Sequence, residues 1–420
     1  HCRQGIVPHI APNHDAVNLL LVFFIGISTG AGIMVSQYIG ARDRENLALT
    51  IGNCTVACGV TSLFIMIAGT FVTGPLLHLL NTPDSIFEWC RSYLNILIWG
   101  MAGMAFYNIL SGILRGLGDS FSALLYLLIS TVLNIVLDIW FVAGLNMGVA
   151  GVSLATVIAQ GISALLCLWK LFQMKDLFEL KAVHFRPHGE SMGNIIRLGV
   201  PSGITQAIFS MAMIVVQSLT NSFGEMFIAA NVIVMRVDGF AMMPNFSFGT
   251  AMTTYAGQNV GAKRYDRVTL GARQGTLMAV GTSAVITGII LLFGKYLMGI
   301  FTTTTELVDL SMNMMRIIAL GYLAMGVTQS LSGVMRGAGD TMTPMWISVF
   351  TTIVVRIPVA YGIAYLTRSP EYPIGRQECI FISLLSSWLL GALATAVMYR
   401  VGHWKKKALR TEEPAETPLD

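Results

Sequence analysis

Runs of about twenty or more apolar residues, almost free of charge, recur along the whole of this chain. A run of that kind is what carries an α-helix across the roughly 30 Å hydrocarbon core of a bilayer, where lipid offers no partner to an open backbone group. Eleven can be read, at 16–38, 47–80, 93–114, 120–142, 149–172, 194–220, 227–255, 269–298, 310–334, 342–366 and 379–399. The second is longer than a span requires and is expected to tilt or to protrude. Charged residues are only 11% of the chain, less than half of the roughly 25% usual in soluble domains, which excludes a soluble fold. The expected class is an all-α integral membrane protein.

Basic residues collect in the short cytoplasmic loops of such proteins. Of the 26 Lys and Arg, 18 fall on one side, from Arg42 and Arg44 through Arg115, Lys170 and Lys263 to the run Lys405–Lys407. That side, with the C-terminus, is expected to be cytoplasmic, and eleven crossings then leave His1 outside. Residues 1–15 resemble neither a helix nor a signal peptide, so the start reads as incomplete or foreign. The basic run near the C-terminus is expected to meet anionic lipid rather than nucleic acid. The six Cys (Cys2, Cys54, Cys58, Cys90, Cys167 and Cys379) lack paired loop spacing and read as small packing residues, not as disulfides or zinc ligands.

The chain also repeats itself. Gln37, Gly40, Ala41 and Arg42 match Gln258, Gly261, Ala262 and Lys263 at an offset of 221. Ser111, Gly112, Arg115, Gly116, Gly118 and Asp119 match Ser332, Gly333, Arg336, Gly337, Gly339 and Asp340 at the same 221. One offset held from Gln37 to Asp119 is the mark of a duplication. Both copies lie on the basic side, so the halves share an orientation and form parallel repeats about an axis along the membrane normal. The reading is two pseudo-symmetric six-helix bundles, the first with five helices here because its first helix is missing. It divides the chain into a non-matching segment 1–15, a first bundle 16–172, a polar cytoplasmic linker 173–193, a second bundle 194–402 and a cytoplasmic tail 403–420. The two RGxGD segments are expected to close tight turns, Gly taking positive φ and Asp capping the next helix.

Together with these paired motifs, NIVLDIWFV in 120–142 and RIPVAY in 342–366 resemble the multidrug and toxic compound extrusion (MATE) family, over about 16–402 and most closely its bacterial NorM- and DinF-like members. The resemblance implies a multi-pass antiporter of the bacterial inner membrane. Such a protein expels small cationic or aromatic compounds by alternating access, driven by protons or sodium. It also implies a cation site in the first bundle made by Asn134, Asp138 and Thr156, plus an aspartate on the first helix that this chain lacks. Some members carry an acid in the seventh helix, where 194–220 has Gln206 and Gln217 instead.

The residues themselves point the same way. A carboxylate within a span is costly unless it has a partner, a proton or a bound cation. Asp138 is such a group, Asn134 shares its helix face four residues earlier, and Thr156 on the next helix adds a hydroxyl. Oxygen ligands suit sodium and a buried carboxyl suits proton exchange; the plainer reading is a bond between helices. No other metal or cofactor is implied. Asp238 and Arg236 stand about 200° apart around their helix and cannot share a face. Arg356 is the candidate partner of Asp238, as a structural ion pair or a substrate sensor.

Met211, Met213, Met235, Met242, Met243 and Met252 crowd two successive helices. With Gln206 they are candidates for lining a substrate cavity, which in parallel-repeat transporters lies near the midplane, against the plainer reading of helix packing. Pro201, Pro244 and Pro358 are expected to permit bends. Phosphate-binding loops, HExxH helices and nucleophile elbows are absent from the sequence, so neither ATP-driven transport nor enzyme activity is expected. Two rivals remain. A lipid or oligosaccharide flippase of related architecture would need more cavity cations than Arg236 and Arg356. A GxGD-type intramembrane aspartyl protease needs two carboxylates sharing a proton, whereas Asp119 and Asp340 are repeat mates at loop positions. Nothing in the sequence sets the oligomeric state.

Overall fold

The computed structural model describes residues 24–79 and 84–409, and among these every regular element is helical. Residues 1–15, with Cys2 and Arg3, the first part of the run 16–38, and the tail from Arg410 lie outside the described residues. The first bundle contains α1 (Phe24–Ala41), α2 (Arg44–Leu79), α3 (Asp84–Trp99), α4 (Met101–Leu117), α5 (Ser120–Ile139) and α6 (Gly148–Gln173). The chain continues with α7 (Gly189–Ser222), α8 (Glu225–Gly261), α9 (Tyr265–Gly299), α10 (Thr305–Ile318), α11 (Gly321–Gly337), α12 (Met342–Val349), α13 (Ile357–Leu366) and α14 (Cys379–Val401). Nine helical segments are long and apolar enough to cross a bilayer, and two bent pairs bring the described spans to 11. The all-helical membrane architecture is therefore as the hydropathy pattern predicts.

The two bends fall at repeat mates. α3 and α4 meet at 43° around Gly100, and α10 and α11 meet at 47° just before Gly321. A side chain at either glycine would collide with a neighbouring helix, Val157 in the first case and Trp388 in the second. A wider, π-helical turn, Phe350–Arg356, links α12 to α13. Pro358 has no N–H to give to the carbonyl of Val354, and the helix widens just before it.

The duplication is visible in the packing. A Cβ on Gly116 would lie 2.7 Å from the carbonyl oxygen of Gly32 and 3.1 Å from Val35 Cβ. On Gly337 it would meet the carbonyl of Thr253 and lie 2.9 Å from Ala256 Cβ, the mates of those two residues. Gly112 against Ser28 repeats as Gly333 against Gly249. Each RGxGD turn closes through a glycine in the left-handed region, Gly118 at φ 96° and Gly339 at φ 92°. Asp119 then accepts from Ser122 N at 3.0 Å and Oγ at 2.7 Å, and Asp340 from Thr343 N at 3.1 Å and Oγ1 at 2.7 Å. Burial works to raise the pKa of Asp119, but hydrogen bonds from Ser122 and the charge of Lys170 outweigh it and hold the carboxyl below its ordinary range. Both aspartates are engaged helix caps, so neither is placed for the paired-acid chemistry of a protease.

Two compact units result, one reaching to Gly203 and the other running from Ile204. The part of α7 from Gly189 to Gly203 therefore packs in the first unit, where Gly199 abuts Gly26 and Gly30 of α1. The segment before α7 is tied down as well. His184 is buried; its carbonyl accepts from Asn53 at 3.1 Å, its Nδ1 accepts from the N–H of Lys181, and its Nε2 lies 3.1 Å from Glu45.

The basic run at the other end is divided. Lys405 and Lys406 are exposed and carry no ion pair among the described residues, whereas the Nζ of Lys407, also exposed, lies 2.9 Å from Asp340. Trp404 anchors this turn, buried and stacked on Tyr399 at 5.2 Å, its N–H donating to the carbonyl of Tyr399. Asp340→Ala, losing the cap and the lysine together, is expected to destabilise the protein by about 1–2 kcal/mol. Asp340→Asn keeps an acceptor for the helix and should cost about half as much. Thermal unfolding in detergent, followed by size-exclusion chromatography, measures both; equal losses would show that the cap contributes nothing.

Candidate functional site

α5 is rich in Leu, Ile and Val, with Asn134 and Asp138 one turn apart on one face. α6 packs against it, and Asn134 Nδ2 donates to Thr156 Oγ1 at 3.3 Å, while that hydroxyl donates to the carbonyl of Val152 at 3.0 Å. The structure thus joins Asn134 to Thr156 and leaves Asp138 beside them. Asp138 Oδ1 is buried and accepts no hydrogen bond from the protein. A buried carboxylate oxygen without a donor is costly, and a proton or a cation is the direct remedy. The donor set, a carboxylate with amide and hydroxyl oxygens, has the hard-oxygen chemistry of an alkali-cation site. No group of three or more His, Cys, Asp or Glu suited to a transition metal is found among the described residues.

The second unit contains another intramembrane acid. Asp238 on α8 accepts a hydrogen bond from Tyr322 of α11 at 2.8 Å, and Tyr322 is fully buried. The ring of Tyr322 packs on Trp388, and its carbonyl accepts from Asn245, which in turn accepts from Ser283 at 2.9 Å. The partner is thus a neutral phenol and not the guanidinium expected from the sequence. Arg356 forms no ion pair with Asp238 within 4.0 Å, and Arg356 Nε is buried without a hydrogen-bond partner. A phenol supplies the hydrogen bond without the cost of desolvating a second ion in direct contact. Arg236 is exposed and makes no hydrogen bond or ion pair among the described residues.

Tyr322→Phe leaves the carboxyl without its donor and is expected to cost about 1–3 kcal/mol. In an Asp238→Asn background the cost should shrink by half or more, a coupling that a double-mutant cycle of detergent melting measures.

The methionines divide. Met242 and Met252 are buried in the packing of the second unit, whereas Met211, Met213, Met235 and Met243 are exposed along with Gln206. Gln217 spends its amide on Asn221 at 2.8 Å. Sequence reasoning missed Tyr322, which lies 84 residues from Asp238. It also passed over Gln160, one turn beyond Thr156, whose buried Oε1 has no partner. The spacing of Gln160 was readable; the contact of Tyr322 was not.

Intramembrane acids on helices of a duplicated, multi-span fold suit a membrane transporter, and comparison with known proteins agrees. The MatE family profile matches residues 15–140 and 201–362, and the chain belongs to that family. The Bacillus subtilis "Probable multidrug resistance protein YpnP" is 31% identical over 405 residues, spanning 96% of this chain and 88% of its own. The "Probable multidrug resistance protein NorM" of Thermotoga maritima is 25% identical, spanning 93% of this chain and 84% of its own. Among solved structures, the "Outward-facing conformation of a multidrug resistance MATE family transporter of the MOP superfamily" has a TM-score of 0.87 at 22% identity, covering 95% of this chain and 88% of that one. The "Crystal structure of MATE in complex with MaL6" has a TM-score of 0.88 at 21% identity, covering 95% and 89%. The fold is that of the MATE transporters, and the relatives are transporters and not enzymes.

Proposed function

We propose that the protein is a secondary active multidrug efflux antiporter, exporting cationic or aromatic compounds in exchange for protons or sodium. The observation that carries the reading is the partnerless, buried oxygen of Asp138 beside the bonded pair of Asn134 and Thr156. Asp138 is the exchanging acid, and Asn134 and Thr156 would hold the ion with it. The amide oxygen of Asn134 suits this role because its nitrogen is already directed to Thr156. Asp238, steadied by Tyr322, is a second acid that senses substrate in the other bundle, with Arg356 and Arg236 as cations of that bundle. Gln206, Met211, Met213 and Met243 supply adaptable contacts for substrates of varied shape. The setting is the bacterial inner membrane, with the basic side and the C-terminus cytoplasmic. Names given to relatives across nearly the full chain support drug export, as in the Bacillus and Thermotoga proteins above. Ethidium efflux from vesicles under an imposed proton or sodium gradient is the test, and it must depend on Asp138.

A further inference from the structure

Polar residues interrupt α5 at a fixed interval. Asp138, Asn134, Ser130, Tyr126 and Ser122 recur every four residues, so each is the neighbour of the next one turn along, and the line winds slowly around the helix by about 40° per step. The line ends on Asp119, whose carboxylate caps the helix through Ser122. α6 offers Thr156, Gln160, Ser163 and Lys170 along its own length. The two lines meet at three levels: Asn134 bonds Thr156, Ser163 Oγ donates to the carbonyl of Tyr126 at 2.8 Å, and Lys170 Nζ lies 3.5 Å from Asp119. At about 1.5 Å of rise per residue, successive rungs are about 6 Å apart, and the whole line runs about 28 Å. That is close to the roughly 30 Å thickness of the hydrocarbon core.

Hydrogen bonding between helices would account for such a seam if its groups were satisfied. Two are not: Asp138 Oδ1 and Gln160 Oε1 are both buried acceptors with no donor in the protein. Each calls for a visitor such as a water molecule, a hydrated proton or a monovalent cation. The duplication provides an internal control. At the offset of 221 the α5 positions become Thr343, Ile347, Thr351, Val355 and Val359. Three of the five are apolar there, so the shared architecture does not itself demand a polar line.

We propose that the α5–α6 seam is the route by which the coupling cation leaves Asp138 for the cytoplasmic side, with Gln160 as its waypoint and the Asp119–Lys170 pair as its inner mouth. The inference rests on Asp138 being the exchanging acid and on the basic side being cytoplasmic. Rungs about 6 Å apart along the axis leave room for bridging waters between them, and oxygens of this kind serve sodium or a hydrated proton. Lys170 stands at the mouth as a tethered cation, and it must swing away from Asp119 for an ion to pass.

The test takes the full chain into proteoliposomes with Gln160→Leu, Ser130→Ala and Gln160→Glu. Ethidium efflux is driven by a proton gradient in one arm and by a sodium gradient in the other, and the arm that drives the unaltered protein names the ion. In detergent, carbodiimide labelling of Asp138 and its suppression by that ion report binding. Gln160→Leu should slow driven efflux at least tenfold and Ser130→Ala about threefold, with labelling of Asp138 and its suppression unchanged; Gln160→Glu, which keeps an oxygen at the waypoint, should retain at least half the rate. Unaltered efflux in Gln160→Leu overturns the route, and so does loss of Asp138 labelling together with transport, which would make Gln160 part of the binding site. If Gln160→Leu does not fold, Ser130→Ala decides: a threefold loss supports the route and an unaltered rate overturns it. Asp138→Asn separates the two readings. Should it keep driven efflux, the coupling assignment itself falls; should it lose efflux while Gln160→Leu keeps it, only the route falls.

Discussion

Asp138→Asn is expected to lower gradient-driven ethidium efflux by about a hundredfold or more, a loss of ~2.7 kcal/mol or greater in the coupled step. Ethidium binding measured in detergent should stay within about twofold. The amide matches the carboxyl in size and can still accept hydrogen bonds, so the packing of α5 on α6 is preserved. What it cannot do is gain and lose a proton or offer a full negative charge to sodium. The carboxylate sits within a span and one of its oxygens has no donor, an arrangement costly enough to need a compensating visitor. If the amide variant exports ethidium at the ordinary rate, the acid is an accident of packing. If binding collapses together with efflux, Asp138 holds substrate and not the coupling ion. A drop of about a hundredfold in efflux with binding intact is the outcome that exchange at Asp138 requires.

Much of this was legible in the residues because the determinants are local. A run of apolar residues reports a span wherever it occurs, and a glycine followed by an aspartate reports a turn and a cap, as Gly118–Asp119 and Gly339–Asp340 do. The pair Asn134 and Asp138 was legible for the same reason, since four residues make one turn. Direction was not. The runs 93–114 and 310–334 each read as one helix, yet each is a bent pair, because hydropathy records apolar content and is blind to a change of axis at Gly100 or Gly321. Partner choice was also hidden. Charge alone nominated Arg356 for Asp238 and gave no protein partner for Lys407, whereas packing brought Tyr322 to the first and Asp340 to the second, across 84 and 67 residues. Composition counted the methionines correctly and said nothing of which way they face, so Met242 and Met252 went into the packing.

Gly337→Ala should be among the most damaging small substitutions in the second unit, costing about 3 kcal/mol or more. The added methyl group meets the carbonyl of Thr253 and comes within 2.9 Å of both Ala256 Cβ and Gly257 N. Two of those three atoms belong to the backbone of α8, which cannot rotate aside as a side chain would. α8 and α11 must separate, and the loss spreads to Gly333, one turn earlier, which rests on the carbonyl of Gly249. Gly281→Ala and Gly288→Ala provide the control, since a methyl group at either meets nothing within 4 Å. There the better helix propensity of alanine should be neutral or stabilising by up to about 1 kcal/mol. Detergent melting of the three variants separates contact from propensity; a Gly337→Ala protein that melts like the parent would refute the close approach of α8 and α11. The duplication makes the expectation more demanding. Gly116 faces Gly32 as Gly337 faces Thr253, so Gly116→Ala should be comparably harmful in the first unit, where the polar line of α5 lies. Equal damage at the two mates would mean that one packing scheme supports both halves, so the polar line of α5, largely replaced by apolar residues at its mates, is not a demand of that packing.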